Sequence, residues 1–200
     1  MTVTNSRIKS LFKIEGTEIE KLRESINADD VMQLITLIDH REGNVFLTGC
    51  GTSAMAAKKA VHTLRVVNIP AFFLNPSDAV HGALGAVHEN DLVIFVSKGG
   101  NTQELTNFLP NLKEKKVMIV SITEDKHSIL GRGANLVVSV TVARELDEFN
   151  MLATISTLGV IALFDVIAVS LMESEGFTKK QFLVNHPSGA VGTKLRGKAQ

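Results

Sequence analysis

Two runs in this chain combine glycine and hydroxyl side chains at spacings that suit an anion. The first is Gly49-Cys50-Gly51-Thr52-Ser53, and the second is Ser97-Lys98-Gly99-Gly100-Asn101-Thr102-Gln103-Glu104. Each follows a short apolar run and opens a segment of helical period, so each reads as a turn at a helix N-terminus. Glycine lets the backbone turn with its N–H groups outward, and the hydroxyls add donors, a combination that attracts phosphate. The candidate phosphate and substrate contacts are therefore Gly51, Thr52, Ser53, Ser97, Lys98, Gly99, Asn101 and Thr102. Taken singly, either turn is an ordinary helix cap; the pairing of two such turns after two strands is more specific.

The first turn also fits the dinucleotide fingerprint G-x-G-x-x-G/A. That fingerprint needs an acid about 20 residues on, at the end of the next strand, to hold a ribose. Here the next strand ends in Asn75-Pro76 and Asp78 comes too late, so no nicotinamide cofactor is expected. Cys50 is the sole cysteine, which excludes an internal disulfide and leaves nothing for a thiolate zinc site. Closing a strand, it reads as a small buried hydrophobe rather than an activated thiol. His40, His62, His88 and His127 show no metal-ligand spacing and read as surface residues, so no metal is expected.

The elements that must position these residues follow from the hydrophobic period. Ile8, Leu11, Phe12, Ile19, Leu22 and Ile26 form one helical stripe, and Val31, Leu34, Ile35 and Ile38 another, so residues 4–41 predict two helices broken and capped around Asn27–Asp30. Strand and helix then alternate: strand 45–48, helix 53–67, strand 71–74, strand 92–96, helix 102–114, strand 117–121, a short helix near 127–131 and strand 136–140. This is a doubly wound α/β pattern. Between the second and third strands, Asn75-Pro76-Ser77-Asp78 predicts a short helix capped by Ser77 or Asp78. Pro187 is placed in the first turn of a last helix that runs to about Arg196.

Residues 151–172 are long and apolar enough to resemble a membrane span, but Asp165 lies inside them. A carboxylate there costs about 2.5–3.5 kcal/mol on insertion scales, so the segment predicts a helix buried against the sheet or between subunits. With 200 residues, 44% of them hydrophobic, and equal counts of 21 basic and 21 acidic residues, the chain predicts a single globular unit with a sizeable core. Residues 1–42 form the helices packed on it and residues 43–200 the α/β domain. The balanced charge and the lack of Trp or Tyr argue against nucleic acid. No signal-peptide core follows the polar N-terminus, so a cytoplasmic location is expected.

With both loops in view, the chain resembles the SIS (sugar isomerase) domain, and within it the arabinose-5-phosphate isomerase family. The resemblance runs from about Val45 to Leu195. It includes Pro70-Ala71-Phe72-Phe73, His81-Gly82-x-Leu84-Gly85, the Ser97–Glu104 loop, Ala143-Arg144-Glu145, Gly176-Phe177-Thr178 and His186-Pro187-x-Gly189-Ala190-x-Gly192. It implies a five-stranded parallel sheet of order 2-1-3-4-5, a sugar-phosphate ligand, no organic cofactor, and active sites shared between subunits of a homo-oligomer, a dimer or tetramer. Carried over by position, the family's two glutamates fall on Glu104 and Glu145 and its histidines on His81 and His186. An aldose–ketose isomerase moves a proton between C1 and C2 through an enediol, which needs a base on the carbon and an acid near the carbonyl oxygen.

The residues alone leave other readings open. Glu104 lies three after Asn101, a spacing that also completes a capping box, and Glu145 stands in a mixed-charge run typical of a solvated loop. The chain departs from the family at Thr52, where the family has a lysine, and at Gly99, where it has a serine; Lys98 is the candidate to return the missing charge. Longer members carry CBS modules, and this chain ends before any begins, so either a stand-alone SIS domain or a piece of a longer member is expected. The expected activity is arabinose-5-phosphate isomerisation; the alternatives are a non-catalytic phosphosugar-binding module and a 6-phospho-3-hexulose isomerase.

Overall fold

The structure, a computed structural model, describes residues 3–189. Among these, five strands form one parallel sheet: β1 (Val45–Gly49), β2 (Ala71–Phe73), β3 (Leu92–Val96), β4 (Met118–Ile122) and β5 (Leu136–Val138), in the order β2-β1-β3-β4-β5. The expected sheet and strand order are therefore present. Parallel pairing buries both faces, and the alternating side chains of each strand divide between two cores. Val45, Leu47, Leu92, Ile94, Val96, Val120 and Ile122 point one way; Phe46, Val93, Phe95 and Ile119 point the other.

Two long N-terminal helices, α1 (Asn5–Ser25) and α2 (Ala28–Asp39), are separated where Asn27 caps α2 by accepting the Asp29 N–H at 3.0 Å. Together with α3 (Gly51–Val66) and α8 (Ile155–Ser174) they cover the first face: Leu34, Ile38, Ala60, Leu64, Phe164 and Ile167 share its core. The second face is covered by α4 (Pro76–Ala79), α5 (Gln103–Thr106), α6 (Leu109–Glu114) and α7 (Ile129–Gly133), with Leu105, Phe108, Leu112 and Leu130 packed on Phe95 and its neighbours.

Helix α8 is the apolar segment that resembled a span. Its Ile155, Val160, Leu163, Phe164 and Ile167 are buried in the fold, it packs against α3, and Asp165 pairs with Lys59 of that helix. The carboxylate that is costly in lipid is satisfied here at the helix–helix boundary.

Three expectations need correction. The single helix over 102–114 is two, broken at Asn107-Phe108. Pro110 lies in the first turn of α6, where its missing N–H costs nothing, whereas inside a continuous helix it would remove a bond and clash with the preceding turn. Helix α4 is capped by Asn75, not by Ser77 or Asp78; the Asn75 side chain accepts the Ser77 N–H at 3.0 Å. Strand β5 ends at Val138, short of residue 140. A helix that was not expected, α9 (Lys179–Asn185), starts with a capping box of Thr178 and Gln181. The expected final helix to Arg196 and the Ala190-x-Gly192 motif lie for the most part outside the described residues.

Candidate functional site

The site begins where β1 and β3 end. Gly49 is in register with Val96, so Cys50 and Ser97 leave neighbouring strands at the point where the strand order reverses, the place where open α/β sheets bind ligands. A side chain at Gly49 would stand 3.0 Å from the Val96 carbonyl oxygen and 3.1 Å from that of Ser53, so glycine lets α3 close down on the strands. Helix α3 then starts at Gly51, at φ +56°, with Thr52 exposed and Ser53 half-buried in its first turn.

The second loop is held together by its own polar groups. Buried Ser97 places Oγ 2.9 Å from Thr102 Oγ1 and accepts the Gly100 N–H at 3.2 Å. Gly100 adopts φ +65°, and a Cβ there would lie 2.0 Å from Ser128 Oγ. Asn101 does not complete a capping box with Glu104. Its Oδ1 accepts the Ile129 N–H at 2.9 Å and its Nδ2 donates to the Gly99 carbonyl at 3.0 Å, tying the loop to α7. Gly99 is exposed and a Cβ on it would meet open space. Glu104, also exposed, faces a cavity.

That cavity measures about 450 Å³, within the range of small-ligand pockets. Gly51, Ala54 and Lys58 line it from one face of α3, Phe73, Asn75 and Ser77 from the β2–α4 turn, and Glu104 and Asn107 from α5 and its end. Lys58 Nζ sits 4.9 Å from the centre of the Phe73 ring. Cys50 also lines it, half-buried rather than buried as expected; burial and the neighbouring Glu104 charge push its thiol pKa up, away from an activated thiolate.

Glu145 is buried, not the solvated loop residue its charged surroundings suggested. Its Oε1 accepts from Lys98 Nζ at 2.8 Å, and its Oε2 from the Thr154 N–H at 2.9 Å, Thr154 Oγ1 at 3.1 Å and the Ser156 N–H at 3.2 Å. These are the first donors of α8, so the carboxylate neutralises that helix end. Burial alone would raise its pKa, but the bonds from Lys98, Ser156 and Thr154 outweigh it and hold the group at about 2. Lys98 and Ser53 border a separate void of about 20 Å³ with Thr123 and Ser156, so the charge of Lys98 is directed at Glu145.

The structure thus brings together Ser97 with Thr102, Lys98 with Glu145, and Gly51 with Glu104. It does not bring His186 to them within one chain. His81 is exposed just beyond α4. His186 follows α9, where Asn185 donates to the Val66 carbonyl at 2.9 Å, at the end of α3 opposite to Gly51 and roughly 22 Å away along the helix. Its ring stacks on Phe182 and its Nδ1 is 3.1 Å from the Ser188 carbonyl, which can only accept, so the proton sits on Nδ1 and Nε2 faces away. His40, His62, His88 and His127 are exposed, as expected. Sequence reasoning missed Lys58, Asn75 and Asn107 as lining residues. The signal was helical spacing: Lys58 is seven residues after Gly51, and Asn107 three after Glu104.

Comparison with known proteins matches residues 37–170 to the SIS domain. The chain is 35% identical, over 182 residues, to the arabinose 5-phosphate isomerase GutQ of Salmonella typhi, covering 91% of this chain and 56% of that protein. It spans about half the length of the curated relatives it matches. Among solved structures, a proposed sugar-phosphate isomerase of Listeria monocytogenes superposes with a TM-score of 0.88 at 40% identity, covering 94% of this chain and 100% of that one. A chain of Escherichia coli CFT073 in complex with arabinose 5-phosphate gives 0.88 at 31% identity, with 92% and 100% covered.

Proposed function

For this chain, which belongs to the SIS-domain family, we propose the interconversion of a ketose and an aldose sugar phosphate, with D-ribulose 5-phosphate and D-arabinose 5-phosphate as the pair. The reading is carried by one observation: an exposed carboxylate, Glu104, on the wall of a ligand-sized cavity between the Gly49–Gly51 turn and α5, the helix that follows the second loop. Identity to arabinose 5-phosphate isomerases and to a chain that binds arabinose 5-phosphate supports the choice of sugar.

In this scheme the Gly51 turn at the start of α3 holds the phosphate at the cavity wall, and the Ser97–Thr102 loop, closed on itself by the Ser97 and Thr102 hydroxyls, supports α5 beside it. Glu104 takes a proton from C1 of the open-chain ketose, the C–H electron pair forms the C1=C2 bond, and O2 is protonated. Return of a proton to C2 with loss of the O1 proton leaves the aldehyde. Glu145, with a pKa of about 2, is a poor proton acceptor at neutral pH. Its part is to fix Lys98 and the start of α8 beside the loops. His186 reaches a site only across a subunit boundary, in a cytoplasmic homo-oligomer with shared active sites, whereas His81 follows Val80 of the cavity wall.

The test is turnover of pentose and hexose phosphates, run beside thermal shift with the same compounds. Arabinose 5-phosphate is expected to be converted, and Glu104→Gln is expected to lower kcat by about 10²–10⁴-fold. Wild-type turnover in Glu104→Gln would remove the proposed base. Binding without turnover of any sugar phosphate would leave a phosphosugar-binding module.

A further inference from the structure

An enediol reaction needs a positive group as well as a base, and the expected source does not supply it. Position 52 holds a threonine, and Lys98 is bound to buried Glu145 at 2.8 Å beside a different, smaller void. Lys59, the next cation on α3, is paired with Asp165. Lys58 differs from all three. Among the described residues it has no carboxylate within ion-pair distance, it lines the cavity that holds Glu104, and its ammonium is placed over the Phe73 ring at 4.9 Å. Side chains on a helix lean toward its N-terminus, so this stem directs the ammonium back over Ala54, toward the loop end of the cavity. The ring provides a partner that can be exchanged for an anion, since cation–π attraction at an open site is weak. Lys58 is the one cation lining this cavity among the described residues, and Glu104 the one carboxylate.

We propose that Lys58 is the electrophile of this cavity, its ammonium polarising the substrate carbonyl and holding the enediolate oxygen while Glu104 moves the proton. The proposal rests on the cavity being the sugar-phosphate site. As the proton leaves carbon for the Glu104 carboxylate, the C–H pair becomes the new C=C bond and the carbonyl π pair moves onto oxygen, beside Lys58. Reprotonation at the neighbouring carbon returns that pair, and no oxidant or reductant takes part.

The test uses the full chain with Lys58→Met and Lys58→Arg. Because Lys58 is exposed, the methionine variant leaves no buried void. With arabinose 5-phosphate, Lys58→Met is expected to lower kcat about 10²-fold with KM changed by less than about threefold, and Lys58→Arg to recover part of the loss. An unchanged kcat in Lys58→Met, or a change in KM alone, overturns the proposal. A binding comparison judges it independently of turnover: a 5-phosphorylated pentonohydroxamate, an anionic enediolate mimic, against arabinitol 5-phosphate, which has no carbonyl. Wild type should prefer the hydroxamate by about tenfold or more, and Lys58→Met should lose that preference alone. The same result in a wild type that converts no sugar phosphate removes the isomerase reading and the electrophile role with it, leaving Lys58 an anion-binding group of the cavity. Equal preference in both proteins, or none in wild type, overturns Lys58 while leaving any measured turnover to stand.

Discussion

At the scale of single residues, Glu145 shows how burial changes the meaning of a charge. Read in the sequence it is one of several acids in Arg144-Glu145-Leu146-Asp147-Glu148, and only position in the fold distinguishes it: a relative exposure of 1% and four donors aimed at two oxygens. A folded pKa of about 2 against an ordinary 4.5 corresponds to about 3 kcal/mol, and screening at Lys98, whose side chain is 38% exposed, reduces this to about 2 kcal/mol. The sign follows from the depressed value. The stabilisation is fully present above pH 4.5 and is lost as pH falls toward 2. Glu124, which faces the same lysine, has its pKa raised chiefly by burial and works in the opposite sense, so the comparison must be with wild type. Glu145→Gln should be less stable than wild type near pH 7 by about 2 kcal/mol, and denaturant unfolding from pH 5 to 2.5 should show the two proteins converging. Parallel pH profiles would mean that the carboxylate is not held ionised by these bonds. Glu104 came with the family resemblance, and the residues alone also allowed a capping box, which the structure does not form. Lys58 was not singled out because its role depends on Phe73 and Glu104, which lie on other elements.

At the scale of elements, the strands and both loops were legible because they rest on strong local signals, short β-branched runs, glycine punctuation and a change of period, whereas the strand order came with the family resemblance. Boundaries that depend on competing caps were not. Asn75, Ser77 and Asp78 are all good N-caps, and the choice of Asn75 is settled by Pro76, which favours the first helical position directly after it. The split between α5 and α6 was likewise written in Pro110, and α9 in Thr178-x-x-Gln181. The second loop makes a prediction of its own. Gly100→Ala forces a Cβ to within 2.0 Å of Ser128 Oγ at a backbone angle of +65°, whereas Gly99→Ala meets open space. Gly100→Ala should therefore cost about 1–3 kcal/mol of strain and weaken phosphosugar binding in proportion, by displacing the Ser97–Thr102 pair. Gly99→Ala should change thermal stability by little. Equal melting temperatures for the two variants would show that the loop is not constrained as its contacts require.

At the scale of the whole molecule, apolar surface is left over on one side. Helices α1, α2 and α8 enclose an apolar groove of about 470 Å³ lined by Ile19, Leu22, Met32, Ile35 and Val166 among others. Met32 is 61% exposed and Val166 58%, while Phe12 projects from the outer half of α1 at 71%. The sequence carried the stripes of residues 4–41 and the apolar run 151–172; where apolar surface emerges is set by packing, since α8 has apolar residues on most of its surface and α1, α2, α3 and the sheet decide which part is covered. A patch of this kind on a folded chain marks an interaction surface, and the distance of His186 from Gly51 within one chain requires a neighbour if that histidine is to act. A stable pairing needs about 800 Å² from each partner, which α1 and α8 side by side have the length to provide. Light scattering at micromolar concentration should give a mass of at least two chains. Val166→Glu, placing a carboxylate in the centre of the groove, should shift the mass toward one chain, because an unpaired charge buried at such a contact costs several kcal/mol. As Val166 is exposed in the single chain, the variant should still fold, with far-ultraviolet dichroism like that of wild type. Loss of sugar-phosphate turnover together with the mass change would tie assembly to the site through a residue that touches no ligand. A monomeric wild type would remove the shared-site arrangement, and an oligomeric Val166→Glu would place the contact on another face.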